Sequence, residues 1–196
     1  MMELHTKSDS DVDTEEIEYK IEKATETLER NIGFISNCDN KTSIVLTALG
    51  VLLTIILTND GLNAIFSIVR SCINEKTFCS ILYLICFAIT LVILFVGIYN
   101  LGSVLIARTS INVKRDNSSH SRIFFSGIIK SGAFETYKEK FYAMNRQELL
   151  DELIAEIYIN SDIATKKYNK YNAGLRLSAI GFLSFVLILL IGIYIY

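Results

Sequence analysis

Residues 77–107 read TFCSILYLICFAITLVILFVGIYNLGSVLIA, with no charged side chain anywhere along them. A hydrocarbon core about 30 Å thick is crossed by about 20 helical residues at 1.5 Å each. This stretch exceeds that length, so it predicts a membrane-spanning helix. Working outward, 42–59 and 177–196 are also free of charge. The first is at the short end for a span and the second is sufficient. Three spans are therefore expected, and the fold class is an all-α membrane protein.

Composition agrees. Of 196 residues, 51% are hydrophobic, and there is no proline at all. Proline breaks helix interiors, so its absence permits very long helices. No signal peptide is visible, because the N-terminus is acidic and no short apolar segment follows a basic start. The first span is expected to act as its own insertion signal.

Lys and Arg near membrane ends set orientation. Residues 108–176 hold twelve basic residues against eight acidic, whereas the connection between the first two spans has only Arg70 and Lys76. The N-terminus and the long middle segment are thus expected in the cytoplasm and the C-terminus outside. Tyr194 and Tyr196 suit the outer aromatic belt.

The charged parts read as helical stalks continuing two of the spans. A 3-4 spacing runs through Ile17, Ile21, Ala24, Leu28, Asn31, Ile35 and Cys38, then through Val45, Leu49, Leu52 and Ile56. It is a coiled-coil-like seam with one polar position, Asn31. A second seam runs Leu150, Ile154, Ile157, Ser161, Ala164, Tyr168, Tyr171 and Leu175. Asn145 followed by Glu148 reads as the capping box that starts it. The two stalks are expected to be parallel. The chain divides into a disordered acidic tail (1–12), a cytoplasmic helix (13–41), a first span (42–59), an external loop (60–77) and a second span (78–107). A basic, aromatic segment (108–145), a second cytoplasmic helix (146–172) and a third span (173–196) follow. Residues 116–120 read as a turn. Phe134, Tyr137, Phe141 and Tyr142 recur at helical spacing, either packing on the stalks or walling a pocket.

Four cysteines, Cys38, Cys72, Cys79 and Cys86, form no C-x-x-C pair, and His5 and His120 stand apart from them. That spacing argues against zinc. Cys72 and Cys79 lie near one loop, as a pair or as free thiols. No nucleophile-and-base set is present, so catalysis is not expected. The uncharged spans argue against an ion-coupled transporter. Three helices enclose no aqueous pore alone, so a pore would need a homo-oligomer.

In order along the chain, Asp39-Asn40-Lys41-Thr42-Ser43 opens the first span, followed by Leu46-Thr47 and Gly50. Phe124-Phe125-Ser126-Gly127-Ile128 follows the basic loop. Tyr137 precedes Leu149-Leu150, and Ile157-Tyr158 and Ser161 lead to Lys167-Tyr168 and the last span. This ordered set resembles the transmembrane effectors of Pycsar antiphage defence. One departure is Lys114-Arg115, where the family often has Pro-Arg. The resemblance implies that a companion cyclase makes cyclic CMP or cyclic UMP, and that the effector then impairs the membrane and arrests growth. Related effectors look to stand beside cyclic-oligonucleotide synthases.

A cyclic mononucleotide needs a cation for its phosphate and a flat or apolar slot for its base. The expected ligand residues are Asp39, Lys41, Arg115, Arg122, Phe124, Phe125, Lys167 and Tyr168. Snorkelling to lipid headgroups explains Lys41, Lys170 and Arg176 equally well. The expected partners are the lipid bilayer, the cyclic nucleotide and further copies of the chain, with no cofactor, metal or nucleic acid. A membrane-anchored coiled-coil adaptor and a holin-like toxin are the competing functions.

Overall fold

A computed structural model describes residues 9–106 and 121–196. The described residues are helical, in the order α1 (Asp9–Ile56), α2 (Asn59–Glu75), α3 (Phe78–Leu105), α4 (Phe125–Lys130), α5 (Phe134–Tyr142) and α6 (Arg146–Ile195). Three of these, α1, α3 and α6, are long and apolar enough to cross a membrane. The protein is an all-α membrane protein.

Two compact units are formed. One comprises the described parts of Met1–Ser36 and Arg108–Thr165, here the stalk unit; the other is the described part of Asn37–Ala107 with Lys166–Tyr196, here the membrane unit. Helices α1 and α6 contribute to both.

In the stalk unit, α1 and α6 run parallel around a small core of Ala24, Leu150 and Leu153, flanked by Ile21, Leu28 and Ile157. Arg146 meets Glu18 at 2.7 Å. Further along, the Asn31 side-chain amide donates to Ser161 Oγ at 2.8 Å and to the Ile157 carbonyl at 3.4 Å. The polar positions of the two sequence seams therefore meet. On α6 the buried row departs from the sequence reading: Leu150, Leu153 and Ile163 turn inward, while Ile154 is 53% exposed. α6 starts as expected, with the Glu148 N–H donating to Asn145 Oδ1 at 2.8 Å.

In the membrane unit, α3 buries Thr90, Leu94, Gly97, Leu101 and Val104, a strict 4-3-4-3 row. Facing them are Gly174, Ser178, Gly181 and Phe185 of α6, all buried. The helices run antiparallel and very close. A Cβ on Gly181 would stand 2.6 Å from the Leu94 nitrogen, and one on Gly174 2.9 Å from the Leu101 nitrogen. Such approach is how apolar helices gain contact in lipid, which is itself apolar. Several hydroxyls within the spans bond back to their own helix, Thr42 to the Cys38 carbonyl, Thr54 to Gly50 and Ser178 to Gly174, while Tyr83 of α3 donates to the Ile188 carbonyl of α6. Back-bonding of this kind satisfies hydroxyls without a polar partner.

Besides the α6 row, the structure departs from the sequence expectation in three places. The stretch 60–77 was expected as a loop, yet most of it is the helix α2. Thr58 caps its start by accepting from the Gly61 N–H, and Lys76 ends it in the left-handed region at φ 48°. The disordered tail expected over 1–12 lies partly outside the described residues, but from Asp9 the chain is already helical. Within the first span, the seam holds at Val45, Leu49 and Ile56, which are partly or fully buried, and fails at Leu52, which is 43% exposed. The expected turn at 116–120 lies outside the described residues. All four cysteines are free thiols, Cys38 and Cys72 buried, Cys79 and Cys86 exposed.

Candidate functional site

In the stalk unit, the expected site residues are arranged by Glu152. This α6 carboxylate accepts from the Arg122 N–H at 2.8 Å and from Arg122 Nε at 2.7 Å. It also accepts from the Ser121 hydroxyl at 3.2 Å. Arg122 Nη1 reaches Glu148, one turn earlier, at 2.8 Å. Glu148 and Glu152 share a helix face because they are four residues apart. Ser121 Oγ in turn accepts the Phe124 N–H at 3.1 Å, and Tyr137 donates to the Arg122 carbonyl at 3.2 Å. Gly127 lets α4 close onto this segment, since a Cβ there would overlap the Ser121 backbone. The hydrogen bond to Glu152 is the chief reason the Arg122 guanidinium titrates above its ordinary range; burial opposes it. Arg122 is thus a cation already neutralised by two carboxylates, fastening the 121–124 segment to α6.

Phe124 is half-buried, and Phe125 opens α4. Tyr137 and Phe141 pack ring to ring, with centroids 5.9 Å apart. Phe134 and Tyr142 are 71% and 77% exposed, so these two neither pack on the stalks nor wall a pocket. Arg115 lies outside the described residues.

Four expected residues belong to the membrane unit. Lys167 is buried, and its Nζ lies 2.6 and 2.8 Å from the two oxygens of Asp39. The pair joins α6 to α1. Asp39 keeps 35% of its side chain exposed, against 5% for Lys167. Lys41 is exposed and Tyr168 half-buried. The sequence placed Asp39 beside Lys41; the structure pairs it with Lys167 instead. Lys41 is two residues further along α1, which turns it about 200° around the helix axis.

Sequence reasoning passed over Glu152 and Ser121, and treated Glu148 only as a cap. A signal existed: two carboxylates four apart beside the apolar Leu149-Leu150 and Leu153, upstream of which stands a single arginine in an apolar segment. Among the described residues, no group of three His, Cys, Asp or Glu side chains is placed to hold a metal.

The model of the Pycsar effector protein domain matches residues 23–194. The Pycsar effector protein GmPycTM of Gulbenkiania mobilis is 28% identical over 168 residues, covering 79% of this chain and 84% of the relative. No solved structure matches the chain significantly.

Proposed function

The chain belongs to the Pycsar effector family and is an antiphage defence effector, and from that premise we propose that it responds to cyclic CMP or cyclic UMP by impairing the cell membrane. The observation that carries this reading is the family match over 23–194, which takes in all three apolar helices. A companion cyclase supplies the nucleotide, the effector sits in the inner membrane with its stalks in the cytoplasm, and several copies act together. The protein works by binding and rearrangement, without catalysis.

The ligand's phosphate carries one negative charge and competes for cations already present. In the membrane unit, Lys167 exchanges Asp39 for the phosphate, and Tyr168, the next residue on α6, offers a stacking face. Release of Asp39 frees α1 from α6 at that point, which couples binding to helix movement. The stalk unit holds the other candidate set, Arg122 and Phe124 with Phe125. It is the less favoured one, because Arg122 would have to leave two carboxylates.

The test is co-expression with a pyrimidine cyclase. Cells should lose membrane potential only when both proteins are present. Unchanged potential at saturating cyclic CMP and cyclic UMP overturns the reading and leaves an adaptor role. For the site, Lys167→Gln should weaken binding about ten- to a hundredfold, as loss of a charge-assisted contact of roughly 1.5–3 kcal/mol does, whereas Lys41→Ala, on the other side of α1, should leave it unchanged. Arg122→Ala should lower the unfolding midpoint and leave affinity unchanged. The reverse pattern would move the ligand to the stalk set.

A further inference from the structure

Helix α2 presents three distinct sides. At 100° per residue, Ile65, Ile68 and Cys72 share one side, and they pack against Tyr83 and Phe87 of α3 and Phe185 and Leu189 of α6. Asn63, Ser67 and Asn74 share the opposite, exposed and polar side. Between them runs a third edge, Leu62, Phe66 and Ile73, which is apolar and 37%, 68% and 56% exposed.

That edge is not isolated. Through Lys76 and Thr77 the chain passes directly to Phe78, 81% exposed, and to Ile81 and Leu82, half exposed on α3. An apolar helix that crosses a bilayer turns such side chains to lipid, and the α2 edge lies one short turn of chain before them. With 17 residues α2 is about 25 Å long. It also carries Asp60 and Arg70, so it is too short and too polar to span. Exposed Arg70 falls beside Phe66 at the border of the apolar edge, where its long stem reaches a headgroup phosphate from among acyl chains. A helix with one side on its own bundle, one apolar edge and one polar side fits the boundary between headgroups and chains.

We propose that α2 lies in the interface of one leaflet, its Leu62–Phe66–Ile73 edge among acyl chains and Arg70 at the phosphates. Asp60 and Glu75 offset Arg70 and Lys76 in charge, so attachment is apolar and nearly independent of anionic lipid content.

The chain has no tryptophan, so single substitutions report position in the full-length protein. Phe66→Trp and Ser67→Trp variants are reconstituted in phosphatidylethanolamine–phosphatidylglycerol vesicles. Brominated acyl chains should quench the Phe66→Trp reporter and aqueous iodide should not; Ser67→Trp should show the reverse. Iodide quenching of both places α2 in water and overturns the placement. A Phe66→Trp reporter quenched by neither is covered by protein, as by a second copy, and overturns it equally. These readings need no cyclic nucleotide.

Discussion

In the stalk unit α1 meets α6 through side chains that name their partners: Glu18 with Arg146, Asn31 with Ser161. In the membrane unit α3 meets α6 where side chains have been removed, at Gly97, Gly174 and Gly181. The difference follows from the solvent. In water, burying an apolar row drives two helices together but leaves their sliding register loosely fixed, and polar contacts fix it. In lipid, an apolar side chain gains nothing from choosing protein over acyl chain, so close backbone approach is what holds a pair. The Asp39–Lys167 pair is a charged contact of the first kind placed within the second unit.

That exception should give the largest effect. Asp39→Ala strands the ammonium of Lys167, whose side chain is 5% exposed. Removing one partner of a buried pair costs about 3–5 kcal/mol. The exposure of Asp39 places this case near the lower end. Chemical unfolding of the full-length protein in detergent micelles should show a lower midpoint, and adding Lys167→Met should restore most of it, because apolar replacement of a buried pair is often neutral. A double variant as weak as the single one would mean that the charge itself, and not its desolvation, decides this contact.

The next test sharpens the comparison with two glycines five residues apart on α3. A Cβ on Gly97 would overlap the Ser178 backbone, whereas nothing lies within 4 Å of one on Gly102. Gly97→Leu should destabilise the α3–α6 pair by about 1–3 kcal/mol, the usual range for overpacking. Gly102→Leu should be silent or slightly stabilising, because glycine is a poor helix former. Thermal unfolding of the two variants in one detergent separates them. Equal effects would break the claim that close approach holds the membrane unit.

The same contrast explains what could be read from sequence. The three uncharged runs identify the apolar helices, because length and charge are all that spanning requires. In the stalk part of α1, every seam position from Ile17 to Ile35 is partly or fully buried. Periodicity has meaning there, since water penalises the wrong face. In the first span the seam fails at Leu52, because lipid accepts leucine on any face. On α6 the seam misses Leu153 and includes Ile154, since both are apolar and only the partner helix distinguishes them. α2 was hidden by its polar residues, which resemble a loop until they are seen to share one side. The site residues were legible as types and not as pairs. Arg122 stood out as a cation near aromatics, but its partners lie 26 and 30 residues away. Lys167 and Asp39 are 128 residues apart.

The smallest expected effect concerns Asn31. Its amide joins α1 to α6 in the stalk unit, at a seam position otherwise suited to leucine. Asn31→Ala removes the half-buried bond to Ser161 Oγ and the longer one to the Ile157 carbonyl, of which the first is worth about 0.5–1.5 kcal/mol. The loss should fall at the low end, because Ser161 Oγ keeps its own bond to the Ile157 carbonyl at 2.7 Å. Asn31→Leu should go further in the other direction and hold or raise the unfolding midpoint, since an apolar side chain lengthens the buried row. The cost would appear as register, because a polar residue at one seam position specifies alignment at the expense of stability. Engineered cysteines at positions 28 and 157, in a background with the four native cysteines replaced, would report it. In the parent stalk they should cross-link in one alignment; in Asn31→Leu, a pair shifted by one heptad should cross-link as well. A single unshifted cross-link in Asn31→Leu would show that Glu18–Arg146 and the apolar row set the register without Asn31.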